Sequence, residues 1–125
     1  MPKLTVETRD HQAHFRPGEV VAGFCGWECD APPRWAELRL FWYTQGRGTR
    51  DTGIVATQRW DDPPAVDAPL FEFTLPAGPY SCSGQLVSIA WALELVVKGV
   101  DDVARLDLVV APAGREVEVT AEVPS

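Results

Sequence analysis

The stretch Val87-Ser88-Ile89-Ala90-Trp91-Ala92-Leu93-Glu94-Leu95-Val96-Val97 places Val87, Ile89, Trp91, Leu93, Leu95 and Val97 on one side of an extended chain, and Ser88, Ala90, Ala92 and Glu94 on the other. Successive strand side chains point to opposite faces, so this period of two predicts a strand with an apolar core face and a second face small enough for another layer to approach. The wider segment from Gly84 to Lys98 would span about 50 Å at about 3.3 Å per residue, and is expected to bend or change sheet partway. Working outward, Leu38, Leu40 and Trp42 alternate with Glu37 and Arg39. Comparable runs lie near 3 to 9, 11 to 15, 19 to 27, 52 to 60, 69 to 75, 103 to 111 and 115 to 122. Turn formers separate them: Pro17-Gly18, Asp30-Ala31-Pro32-Pro33, Gly46-Arg47-Gly48, Asp61-Asp62-Pro63-Pro64, Pro76-Ala77-Gly78-Pro79, Gly99-Val100-Asp101-Asp102 and Pro112-Ala113-Gly114. No capped stretch of helical period survives between these breaks. Many short strands joined by tight turns predict an all-β, antiparallel, immunoglobulin-like β-sandwich of about eight or nine strands, ahead of a closed barrel. The strands in phase give the expected core: Val21, Leu38, Leu40, Trp42, Phe71, Phe73, Ile89, Trp91, Leu93, Leu106 and Leu108.

The 125 residues suit one domain, 1–125, with a core large enough to fold without a disulfide or metal staple. Eighteen acidic against eleven basic side chains give a net charge of −7, and the nine arginines and two lysines are scattered. That distribution argues against nucleic acid or an anionic membrane as partner. Neither the first residues, Met1-Pro2-Lys3-Leu4-Thr5-Val6-Glu7, nor the interrupted apolar run from Val87 to Val97 has the pattern of a signal or a membrane span. Neither export nor membrane insertion is expected. Three cysteines without a framework spacing fit a reducing, cytoplasmic setting.

Phe15-Arg16-Pro17-Gly18-Glu19-Val20-Val21-Ala22-Gly23 resembles the aromatic-x-Pro-Gly-Glu-x-Val-x-Gly lead into an early strand of arrestin N-terminal domains. Its chemistry is that of a type II turn, with Pro17 presetting φ and Gly18 taking φ > 0. Leu75-Pro76, Pro79, Ser81, Gly84, Ile89 and Trp91 are similar to the family's segment in which a strand ends in Leu-Pro, turns and re-enters a long strand; Trp91 stands where the family more often has tyrosine. The resemblance runs from 4 to 112 and implies a sandwich of the arrestin N-terminal domain type, in a single copy where arrestins usually pair two. A first-strand lysine pair and a Pro-Pro-x-Tyr motif are both missing from this sequence. The resemblance therefore implies fold rather than receptor binding.

Candidate chemistry is sparse. Gly46-Arg47-Gly48 is followed by a strand rather than a helix, which predicts a hairpin turn and not a phosphate cradle. His11 and His14, three apart on an expected strand, point to opposite faces and cannot grip one metal. Cys25 and Cys29 would lie about 13 Å apart in one strand, too far for a disulfide, so these two and Cys82 are expected as free thiols. Asp61-Asp62 and Asp101-Asp102 sit in turn sequence, and no Ser/His/Asp or Cys/His set is legible. No catalytic residue, cofactor or metal is expected. Trp27, Trp35 and Trp60, near strand ends, are the candidates for sugar-stacking rings.

The expected function is thus a non-enzymatic protein-interaction or adaptor module acting through sheet edges or loops, with a carbohydrate or small-ligand module as the alternative. Another protein is the expected partner, or a second copy pairing through edge strands. The partner-binding residues proposed from sequence are Leu4 and Val6 on the first strand with Val117 and Val119 on the last. The tail's alternation after its Pro-Ala-Gly break suits a detachable strand that covers the first one until a partner's strand replaces it.

Overall fold

The computed structural model describes the backbone of residues 2–46, 51–79, 81–84, 87–111 and 117–119. The described residues form eleven strands, nine on the expected alternations and two, β6 and β8, on none of them: β1 (Lys3–Thr8), β2 (His14–Phe15), β3 (Val20–Glu28), β4 (Trp35–Gly46), β5 (Thr52–Asp61), β6 (Val66–Asp67), β7 (Leu70–Thr74), β8 (Cys82–Gly84), β9 (Val87–Val97), β10 (Ala104–Val110) and β11 (Val117–Val119). They form a four-stranded and a seven-stranded sheet. In the smaller sheet β3 is central, with β1 on one side and β6 and β7 in succession on the other. In the larger, β9 is central: β4 pairs with it from Ala36↔Val97 to Gly46↔Val87, β5 continues beyond β4, and β8 and β10 share the opposite side. Pairing is antiparallel except for β2 on β10 and β11 on β8.

The long segment corrects one expectation. β9 does not cross to the other sheet: it stays on β4 throughout and exchanges only its second neighbour, from β8 at Ile89 to β10 from Trp91 onward. The segment from 11 to 15 is likewise mostly not a strand. Asp10 and His11 both take positive φ, at 56° and 55°, which closes a one-turn 3-10 segment over Arg9–His11 and leaves only His14–Phe15 extended.

Between the sheets lies one core. Val21, Leu38, Leu40, Phe71, Phe73, Trp91, Leu93 and Leu108 are buried as expected, and Trp42 and Leu106 pack partly buried against them. Ile89 is half-buried. Val6, Phe15, Cys25, Trp27, Ala36, Leu75, Leu95, Val97 and Val110 complete the buried cluster. Trp91 is fully buried, and its indole N–H donates to the Pro79 carbonyl at 2.9 Å, so the ring is packed without leaving its donor unpaired.

The Pro17-Gly18 turn forms as its chemistry requires. Gly18 has φ +82°, and the Glu19 N–H donates to the Arg16 carbonyl at 3.0 Å. The Glu19 carboxylate turns back to accept the Arg16 N–H at 2.8 Å and the Gln12 side-chain amide at 2.9 Å. β4 and β5 form the expected hairpin pair, while Arg47 and Gly48 at its tip and the Pro112-Ala113-Gly114 break lie outside the described residues.

Candidate interaction surface

β1 runs antiparallel to β3 in unbroken register from Lys3↔Glu28 to Thr8↔Gly23, and its outer edge pairs with no strand among the described residues. Val6 is buried and Leu4 half-buried against the core, so the strand is anchored by its inner face. The approach to β3 is close. A Cβ added at Gly23 would lie 2.0 Å from the Glu7 carbonyl oxygen, which restricts that position to glycine.

The described part of the tail, Val117–Val119, does not lie on this edge. β11 lies parallel to β8, with Val117↔Cys82 and Val119↔Gly84, in the seven-stranded sheet. Leu4 and Val6 are therefore in one sheet and Val117 and Val119 in the other, and the sequence expectation that the last strand pairs with the first is corrected. Period-two alternation shows that a segment is a strand, but contains nothing about which neighbour it takes.

Among the other edges left unpaired by the described residues, which include those of β6 and β7 in the same sheet as β1, that of β5 is irregular. Its register on β4 shifts between Leu40 and Phe41, leaving Val55 as an extra residue, and Arg59 and Asp61 form an ion pair near its end at 2.9 Å. Bulges and charges of this kind discourage edge-to-edge pairing. β1 has no such shift.

The outer faces of the two sheets also differ. On the larger, Arg39 pairs with Glu37 at 2.6 Å and Arg105 with Asp107 at 3.5 Å. There the Arg59 guanidinium lies 4.8 Å from the Trp35 ring centre, and that of Arg105 lies 4.6 Å from Tyr43. On the smaller sheet, Glu7, Phe24 and Leu70 stand opposite one another across three strands. Phe24 is 36% exposed and Leu70 78% exposed, with Val20 and Val66 also uncovered. Two grooves, of about 680 and 320 Å³, lie on either side of Phe24.

A solved structure has this architecture. The crystal structure of Spo0M, a sporulation control protein from Bacillus subtilis, superposes with a TM-score of 0.60 at 19% sequence identity, covering 88% of this chain and 49% of that one. The sandwich is arrestin-like in fold. The chain thus spans about half the length of that neighbour, and the likeness is one of fold alone. No protein-family model matches the sequence, and no curated protein matches it either.

The remaining sequence candidates separate in this arrestin-like frame. Trp27 is not an exposed ring: it is buried, donates its N–H to the Pro64 carbonyl at 2.9 Å, and packs against the half-buried Trp60 with centroids 5.7 Å apart. Trp35 lies under Arg59, so the three rings form no open stacking platform. His11 and His14 are exposed, and among the described residues no three His, Cys, Asp or Glu side chains converge as metal ligands. Cys25 and Cys29 are free; burial pushes the Cys25 thiol up to about 12, with the Asp67 charge adding to it, and burial also raises Cys29. Such thiols are poor nucleophiles. The Cys82 thiol lies outside the described side chains. Among the described residues no helix is long and apolar enough to cross a membrane.

Sequence reasoning missed the outer face of the small sheet. In Val20-Val21-Ala22-Gly23-Phe24-Cys25-Gly26-Trp27 apolar residues occupy both parities, so periodicity could not show that Phe24 points outward and Trp27 inward.

Proposed function

We propose that this chain is a non-enzymatic protein-interaction or adaptor module, a relative of the arrestin-like family, that works in the cytoplasm by accepting an extended segment of another protein along β1. The observation carrying this reading is the outer edge of β1, which pairs with no strand among the described residues, is regular over six register pairs and is anchored beneath by Leu4 and Val6. An added strand gains main-chain hydrogen bonds along such an edge, and its alternate side chains supply specificity. An odd count of three cysteines without framework spacing supports a reducing compartment. Val117 and Val119 contribute, in this reading, by completing the opposite sheet rather than by guarding β1.

The test places a photo-crosslinking residue at Thr5 in β1, or at Ile54 in β5 as control, and irradiates the tagged protein in its own cytoplasm. Expected are adducts to another protein from Thr5 only, with slowed amide exchange over residues 3–8 in the purified complex. Adducts from Ile54 alone, or unchanged exchange in β1, would overturn the reading. A second copy of this chain in the adduct would identify the partner strand as its own.

A further inference from the structure

The face beside the β1 edge also has a composition that selects a partner. The larger groove has an apolar floor of Ala22, Phe24 and Leu70, and the carboxylates of Glu7, Asp10 and Glu72 stand around it with Arg9 as the one permanent cation. Three carboxylates against one guanidinium leave the rim negative by two. The ion pairs found among the described residues, Arg39–Glu37, Arg59–Asp61 and Arg105–Asp107, all lie on the other sheet, so the rim charges are not neutralised by them. One end of the groove is built from the Asp10–His11 turn, where two successive residues without the freedom of glycine hold positive φ. Hydrogen bonds from the Thr8 hydroxyl to the Gln12 carbonyl, and from the Gln12 amide to the His14 carbonyl and Glu19, fix that turn. Backbone strain retained by surrounding structure is characteristic of binding sites.

We propose that this groove docks a partner segment presenting an apolar side chain between lysines or arginines. The apolar side chain covers Phe24 and Leu70, the uncovered hydrophobic pair in the row that begins at Glu7, and the flanking cations face Glu7 on β1 and Glu72, which lies two residues along β7 from Leu70 and opposite Ala22. Exposed apolar surface rimmed by charge is the composition of an interface core with its polar rim. On the large sheet's outer face Arg39, Arg59 and Arg105 already lie on carboxylates or aromatic rings. The inference rests on the protein-binding reading above and names the chemistry of the partner.

The probe is a short synthetic peptide alternating lysine and leucine, titrated against the whole chain by calorimetry, with glutamate-for-lysine and serine-for-leucine versions as controls. Expected is one-to-one binding at least about tenfold tighter than either control, because both the apolar and the cationic halves are required. Leu70→Ser and Glu72→Arg, both at exposed positions, should each weaken it by about fivefold or more. Asp102→Arg makes the same charge change on an exposed loop elsewhere and should alter it less than about twofold. Absence of binding, equal binding of either control, or equal weakening by Asp102→Arg would overturn the proposal. If Thr5 crosslinks form in the cytoplasm while the peptide result is negative, the groove fails and the edge reading stands; the converse result retains the groove and removes the edge.

Discussion

Cys25 shows how burial governs a side chain's chemistry. The residue sits inside β3 with no exposed surface, and desolvation is the first cause holding its thiol at about 12, against an ordinary value of 9.0. The native chain therefore keeps the proton at a pH where the unfolded chain releases it. Because the folded value is the higher, this contribution is intact below about pH 9 and is lost progressively as pH rises from 9.0 toward about 12. Chemical denaturation at stepped pH should show wild-type stability falling faster than that of Cys25→Ala over this interval; parallel curves would show that Cys25 does not contribute. The Glu19 carboxyl is shifted the other way, held low first by the Arg16 N–H and then by the Gln12 amide. Its stabilisation is present above the ordinary carboxylate value and disappears as pH falls through the depressed one, so Glu19→Gln should lose stability at neutral pH and flatten the acid limb. Steric restriction acts at Gly23 with equal specificity. An added methyl there meets the Glu7 carbonyl oxygen at 2.0 Å, inside any real contact, so Gly23→Ala must push β1 off β3. Loss of exchange protection in β1, with β9 unaffected, is the expected signature.

At the scale of elements, alternation was the legible feature and neighbour choice was not. β9, β4, β5, β7 and β10 lie close to where period two placed them, because each has one apolar face on a common core. The two-residue β6 escaped notice since Val66–Asp67 is too short for any period and sits between Pro64 and Pro69. That residues 3 to 9 hold a strand with Leu4 and Val6 inward was readable from sequence, and its place at an edge only through the family resemblance; the groove beside it was not, because apolar residues on both faces of β3 hide which face is outward. The tail's position on β8 leads to an element-scale prediction. Deleting 114–125 should raise amide exchange in Cys82–Gly84, the backbone that β11 pairs with, and leave Lys3–Thr8 unchanged. Faster exchange in β1 instead would mean that the tail visits that edge in solution.

Considered as a whole molecule, the two sheets share a single core with no apolar layer belonging to one alone. Trp27 comes from β3 of the four-stranded sheet and Trp91 from β9 of the seven-stranded one, and both are fully buried in the same cluster with Val21, Leu40 and Phe71. Neither sheet can separate without exposing the inner face of the other, and burial of that surface is the main force opposing chain entropy. Unfolding should accordingly be cooperative. Two variants retaining either Trp27 or Trp91 alone, the other four tryptophans replaced by phenylalanine, would report on each sheet separately. Their fluorescence midpoints in denaturant should each coincide with the far-ultraviolet dichroism midpoint of the same variant. Trp91→Ala tests the same coupling from the energetic side: removing a fully buried indole should cost about 3 to 5 kcal/mol through the cavity it leaves. The loss should appear equally in amide exchange of β3 and of β9, although only β9 contains the substitution. Destabilisation confined to the seven-stranded sheet, or separate midpoints for the two tryptophans, would show that the sheets unfold independently and that the core is not shared energetically.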